Sequence, residues 1–266
     1  MTDRIGPPAA PVHRSVSTWQ QPLPVSASPE RAAVVAAVAD RILGLGPQRS
    51  RVGIDGLTTA GKTSFGHELA AYVSRAGRPV LRASLDDFKR PWRDRHLYDR
   101  ESGPGYYRNA FDYAAVTGLL LDPAAPEGSG ACALCSIDPL TQIHHSDVIT
   151  PAAEDAVLIV DGVFAFRPEL NAHWDFRVWL DIDPQESVRR GAARDQDWAG
   201  SEAEAVHRDR YLPAEELYLA EVGPLRLVDV IIDNSDFAHP RILPAPSGGS
   251  DMPLGDAGSA PPSEGW

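Results

Sequence analysis

Cysteine is almost missing from this chain: two residues in 266, Cys132 and Cys135. Two thiols cannot staple a secreted fold, which points to a reducing compartment, the cytoplasm. Long hydrophobic runs are missing as well. No stretch approaches the roughly 18 apolar residues that a membrane span needs. The opening residues, Met1 to Pro8, lack the apolar core of a signal peptide. Positive charge is in the minority, with 25 Lys and Arg against 37 Asp and Glu, a formal net charge of −12. An acidic surface repels nucleic acid, so DNA and RNA are excluded as partners. An anionic ligand would need a local cluster of donors. What is present, 43% hydrophobic residues over 266, suffices for one α/β domain with a buried core.

Both ends read as disordered. Residues 1–27 are rich in Pro, Ala, Ser and Gln, and residues 244–266 in Gly, Pro, Ser and Asp. Neither shows an apolar period, so neither buries enough to offset chain entropy. The span 28–243 between them alternates strand and helix patterns. Ser28-Pro29-Glu30 caps a helix that Gly44 ends. Short strands are predicted at 51–55, 79–84, 156–161, 176–181 and 228–232. Helices are predicted after the first of these, over 109–121, from the Asp183 capping box, and from Ser201 to a break at Pro213. The apolar run Ala156–Val160 is the kind buried on both faces of a parallel sheet. Alternation of this sort predicts a mostly parallel sheet with helices on both faces.

Gly56-Leu-Thr-Thr-Ala-Gly-Lys-Thr63 follows the first strand and opens a helix, where a phosphate-binding loop belongs. Gly56 and Gly61 allow a tight turn and close approach to phosphate. The backbone N–H groups of Thr59, Ala60, Gly61 and Lys62 are expected to cradle the β-phosphate at the helix N-terminus. Lys62 is expected to reach the β and γ oxygens, and the Thr63 hydroxyl to ligate Mg²⁺. The expected ATP site is therefore Gly56, Thr58, Thr59, Ala60, Gly61, Lys62, Thr63 and Ser64. Two further strands end in acids on the same sheet edge, at Asp86 and Asp161. Phosphoryl transfer needs a carboxylate near the acceptor hydroxyl and one beside Mg²⁺, the latter usually through water. Asp86 is the candidate for the first and Asp161 for the second. Arg190 and Arg194, four apart on one helix face, are candidates for a lid that neutralises the transferring phosphoryl group. Cys132 and Cys135 with His144 and His145 are not read as a zinc site, because residues three apart on a strand face opposite ways.

With these motifs in place, residues 48–240 resemble the uridine kinase-like (nucleoside kinase) branch of the P-loop kinases. The segments that carry the resemblance are Gly56–Ser64, Ser84–Phe88, Gly105–Asp112, Val160–Phe166, Arg190–Asp195 and Val228–Asp236. The resemblance implies a P-loop fold with a five-stranded parallel sheet in the order 2-3-1-4-5. It also implies a β-hairpin, at 131–150, over the acceptor site. It implies Asp86 as catalytic base and Asn234 as a contact to adenine. Phe88, Tyr106, Tyr107, Arg108 and Asp138 then line the substrate pocket with Asp86. The implied reaction is ATP- and Mg²⁺-dependent phosphorylation of a nucleoside 5′-hydroxyl, as of uridine or cytidine. Pantothenate, nicotinamide riboside or a sugar is the alternative acceptor, and an ATP-binding regulator without an acceptor is the rival class. The chain departs from the family at Asp161, where Glu is frequent, and at Gly191, where Arg is frequent. A homo-oligomer is left open.

Overall fold

Each predicted strand position has become one rung of a single sheet, and the sheet aligns the ends of those rungs along one edge. The computed structural model describes residues 9–20, 23 and 27–244. Its strands are β1 (Val12–Arg14), β2 (Ser50–Gly56), β3 (Val80–Ser84), β4 (Ala131–Ala133), β5 (Ile149–Pro151), β6 (Val157–Asp161), β7 (Phe176–Asp181), β8 (Val230–Asp233) and β9 (Arg241–Leu243). Its α-helices are α1 (Pro29–Leu43), α2 (Lys62–Arg75), α3 (Gly103–Asn109), α4 (Tyr113–Val116), α5 (Pro168–Asn171), α6 (Pro184–Ala199), α7 (Ala203–Val206) and α8 (Leu212–Val222).

The main sheet runs β1-β3-β6-β2-β7-β8-β9. Its inner five strands are all parallel and stand in the expected 2-3-1-4-5 order. The sheet is wider than expected, however, with seven strands. β9 pairs antiparallel with β8 on one edge, and β1 pairs parallel with β3 on the other. β1 corrects the reading of 1–27 as disordered wherever that stretch is described. Val80 N donates to the Pro11 carbonyl at 2.9 Å and Ser15 N to the Arg82 carbonyl at 3.2 Å. Joining an open sheet edge takes main-chain hydrogen bonds and little apolar pattern, so composition could not reveal it. The expected disorder of the C-terminal tail falls, from residue 245 onward, outside the described residues.

The sheet separates two apolar layers. On one side α1 and α2 bury Val38, Ile42, Phe65 and Leu69 against Ile54, Ile159 and Val178. On the other, aromatic side chains dominate: Phe88, Phe111, Phe164, Phe166, Trp179 and Tyr218. β6 is buried along its whole length. Capping follows the sequence. The Ser28 hydroxyl accepts from Arg31 N at 3.0 Å, and Asp183 accepts from Gln185 N at 2.8 Å.

Two helix expectations need correcting. The helix expected over 109–121 is split. Phe111 bridges antiparallel to Lys89, and Asp112 then caps α4, which ends in a π-type turn, Thr117–Leu121. Pro213 does not break its helix either. A π-type turn at His207–Tyr211 precedes it, and Pro213 sits in the first turn of α8, where a missing N–H costs least. β4 and β5 pair antiparallel as the expected hairpin, with Cys132 and Cys135 free and buried. Among the described residues no helix is long and apolar enough to cross a membrane.

Candidate active site

The phosphate loop is the turn from β2 into α2. Its backbone takes positive φ at Gly56, Thr59 and Gly61. At Gly61 a side chain is excluded twice over: φ is +91°, and a Cβ there would lie 2.7 Å from Asn234 Nδ2. Lys62 Nζ donates to the carbonyls of Gly56 at 3.0 Å and Leu57 at 2.7 Å. Burial lowers its pKa, against the raising influence of Asp55, Glu215, Asp161 and Asp86. The lysine is thus ringed by carboxylates at the carboxyl edge of the sheet. Ser64 lies half-buried in the first turn of α2.

The loop is clamped from three elements, and sequence reading missed most of the clamps. Glu215 on α8 accepts from Thr58 N at 2.5 Å and from the Thr58 hydroxyl at 2.6 Å. Ser187 on α6 donates from its hydroxyl to the Thr58 carbonyl at 2.6 Å, and the Thr59 hydroxyl donates to the Ser187 carbonyl at 2.9 Å. Asn234, just past β8, is fully buried. Its Nδ2 donates to the Ala60 carbonyl at 2.6 Å, and its Oδ1 accepts from the buried Arg31 at 3.0 Å. Both ends of this amide are engaged, so Asn234, expected as an adenine contact, braces the loop in this structure. Thr58 is likewise held from behind, and Ala60 N closes a turn onto the Leu57 carbonyl at 3.0 Å. Ala60 N, expected among the phosphate donors, is here engaged within the loop. Beneath the loop, Asp55 accepts from Gly56 N at 2.7 Å and the Tyr218 hydroxyl at 2.6 Å. Burial pushes the Asp55 carboxyl up to about 6, with Tyr218 and Lys62 resisting.

At the metal side the Thr63 hydroxyl donates to Asp161 Oδ2 at 2.6 Å. The other Asp161 oxygen accepts from the buried Arg82 at 2.5 Å. A hydroxyl and a carboxylate side by side at the mouth of a phosphate loop form the partial, all-oxygen set that Mg²⁺ takes when water and substrate phosphates complete its shell. Among the described residues no cluster of three His, Cys, Asp or Glu side chains is placed to hold a metal by itself. The residues fit Mg²⁺ delivered with a nucleotide, with Asp161 acting through water.

Asp86 stands in the 3-10 turn that follows β3, half-exposed. Lys89 Nζ lies 2.7 Å from its Oδ1. Burial alone would raise the Asp86 carboxyl. The charges of Lys89, Lys62 and Arg194 outweigh it and hold the group below the ordinary carboxylate range. Lys89 is not among the site residues expected from the sequence. A signal was present: Lys62 and Lys89 are the chain's two lysines, and both stand at this site.

The expected arginine lid divides. Arg190 pairs with Glu186 at 2.7 Å and donates to the Asn234 and Ser235 carbonyls at 3.3 and 2.5 Å, beside the β8 end. Arg194 pairs with Asp195 at 2.7 Å and lies within electrostatic reach of Asp86. Four residues advance a helix by about 6 Å, enough to carry one arginine to the loop brace and the other to the base. Gly191 between them makes room for the buried His207, whose ring would lie 2.2 Å from a Cβ there and whose Nε2 is 2.8 Å from Asp195. This is why arginine has no place at that position.

The expected substrate pocket is the least supported part. Tyr107 and Phe88 are core residues, 2% and 0% exposed. Arg108 points outward to Glu221 at 2.9 Å. Asp138 is fully buried and caps its own loop, accepting from Leu140 N and Thr141 N at 2.8 and 2.9 Å and from Thr18 N at 2.6 Å. Burial would raise its pKa, but these backbone donors hold it well below the usual range. Asp138→Ala is therefore expected to lower stability by about 1–3 kcal/mol with acceptor KM unchanged, read by thermal unfolding. The carboxylate's contribution is complete above the unfolded pKa of about 3.9 and is lost on acidification. Of the expected pocket residues, Asp86 and Tyr106 stay together at the site.

No protein-family model and no curated protein sequence matches the chain. Solved structures do. A candidate uridine kinase from Bacillus stearothermophilus superposes with a TM-score of 0.58 at 24% identity, covering 74% of this chain and 96% of its own. A candidate fructose transport system kinase from Silicibacter sp. gives 0.54 at 21% identity, covering 70% and 94%. The fold is that of the P-loop kinases.

Proposed function

We propose that the chain is an ATP- and Mg²⁺-dependent kinase that phosphorylates a hydroxyl of a small molecule. The observation that carries the reading is Asp86, a carboxylate just past the end of β3, ion-paired with Lys89 at 2.7 Å and within electrostatic reach of Lys62 and Arg194. In this reading Asp86 orients the acceptor hydroxyl and takes its proton as the oxygen bonds to the γ-phosphorus and the bond to ADP breaks. Lys62 and the loop N–H groups neutralise charge on the phosphate oxygens, and Arg194 closes the acceptor side. Bound between Thr63, Asp161 and the nucleotide, Mg²⁺ would supply charge neutralisation to the β and γ oxygens. A pure nucleotide switch needs no acceptor base, so Asp86 disfavours that class.

The nucleoside hydroxyl expected from the resemblance keeps support from Tyr106 and from the solved neighbour described as a candidate uridine kinase. It loses support with Tyr107, Phe88 and Asp138 turned to structural roles. A sugar acceptor has the second neighbour's description behind it. The test is a screen of nucleosides, vitamins, sugars and hydroxy acids with purified protein, ATP and Mg²⁺, following ADP release and product mass. One acceptor is expected to gain 80 Da with stoichiometric ADP; ADP release at background for every acceptor would end the kinase reading.

A further inference from the structure

The acceptor side of Asp86 is built unlike a slot for a flat, neutral base. Tyr106 does not offer a free face. Its ring packs against Tyr211 at 4.9 Å, Phe164 at 6.0 Å and Phe111 at 6.1 Å, and the Arg210 guanidinium lies 4.9 Å over it. What gathers there is positive charge. Lys89, Arg194 and Arg210 all stand around Asp86 and Tyr106. This happens in a chain whose net charge is −12.

Arg210 is the least satisfied of these cations. One Nη2 hydrogen goes to the Arg100 carbonyl. Nη1 forms a long ion pair with Glu101 at 3.8 Å, beyond hydrogen-bond reach. Its Nε is buried with no hydrogen-bond partner among the described residues. Lys89 and Arg194 have closer acidic partners, Asp86 and Asp195, each at 2.7 Å. Arg210 and Tyr211 also lie in the π-type turn His207–Tyr211, a distortion that helices carry frequently at functional sites. A guanidinium whose fork is only partly filled, beside an aromatic wall, suits a carboxylate or phosphate oxygen.

We propose that the acceptor carries an anionic group, a carboxylate or phosphate, next to the hydroxyl that is phosphorylated, and that Arg210 binds this group with Arg194 supporting it. The inference rests on the kinase reading above and narrows it to hydroxy acids and sugar phosphates. Asp86 keeps its own direct partner, Lys89 at 2.7 Å, beside such a substrate, and Arg194 is the cation that base and anion share.

Matched acceptors test it: D-glycerate against glycerol, ribose 5-phosphate against ribose, pantothenate against pantothenol, with uridine as the neutral nucleoside. Each is assayed with the full chain, ATP and Mg²⁺. The anionic member of the productive pair is expected to exceed its neutral counterpart roughly 10- to 100-fold in kcat/KM, the usual worth of a charge-assisted hydrogen bond. Arg210→Gln is expected to erase that preference by raising KM for the anion with little change for the neutral partner, and Arg210→Lys to restore part of it. Uridine or a neutral member turned over as well as the anion would overturn the inference and leave the kinase intact. So would an undiminished preference in a folded Arg210→Gln. Background ADP release across the whole panel would instead overturn the kinase reading, and the acceptor with it.

Discussion

Asp86→Asn is expected to lower kcat by roughly 10²- to 10⁴-fold, the range for losing a general base, while ATP affinity changes little. The amide keeps the size and one acceptor oxygen of the carboxyl but cannot take a proton. Its effect divides by position. The Thr63–Asp161 hydrogen bond at 2.6 Å does not involve the Asp86 side chain, so nucleotide and metal contacts are expected to stay in place. The ion pair with Lys89 is lost, however, and an unpaired, part-buried ammonium costs stability. Thermal unfolding and nucleotide titration on the same protein separate the two effects; full turnover in the folded variant would remove Asp86 from the role. A pH experiment sharpens the assignment. Because Lys89, Lys62 and Arg194 hold Asp86 below the ordinary carboxylate range, it is ionised across neutral pH and gives kcat no acid limb there. In Lys89→Ala the largest opposing charge is gone and burial acts with less resistance. The pKa of Asp86 then rises, and the acid limb of kcat moves to higher pH.

Lys62→Ala is expected to reduce phosphoryl transfer by roughly 10³-fold or more, about 4 kcal/mol of transition-state stabilisation. The ammonium lies on the Gly56 and Leu57 carbonyls at 3.0 and 2.7 Å. It sits inside the ring of Asp55, Glu215, Asp161 and Asp86, the strongest concentration of negative charge at the site. Removing it takes away the charge that faces the β and γ oxygens and leaves phosphate facing carboxylates. The fold is expected to tolerate the loss. Burial already raises the pKa of Asp55 and Glu215, so both can take a proton when their counter-charge is gone. Single-turnover ADP formation measures the loss, and far-UV circular dichroism checks the fold. Transfer within tenfold of the parent would remove Lys62 from the chemistry.

The acceptor side shows why resemblance transfers unevenly. Phe88, Tyr107 and Asp138 occupy positions that the resemblance assigns to a pocket, yet each is buried in other work. Asp138 owes its role to Thr18, which is 120 residues away in the chain and belongs to a segment with no apolar pattern. Arg210 was invisible for the converse reason. Nothing in Arg208-Asp-Arg210-Tyr distinguishes one arginine from the next until the π-type turn aims Arg210 over Tyr106.

The strand order came from the resemblance, while the sequence by itself determined the phosphate loop, the five inner strands and the acids at Asp86 and Asp161. These are local matters, in which glycine spacing, an apolar run and an acid at a strand end specify their own backbone. Tertiary structure decided the rest. It set β1 on the open edge of β3, placed Glu215 and Asn234 as braces of the loop, separated Arg190 from Arg194, brought Lys89 and Arg194 to Asp86, and laid Arg210 over Tyr106. Those outcomes depend on which distant side chains meet in a buried or half-buried space. There an unpaired polar group costs about 1–3 kcal/mol, so partners are chosen by the packed whole and not by their neighbours in the chain.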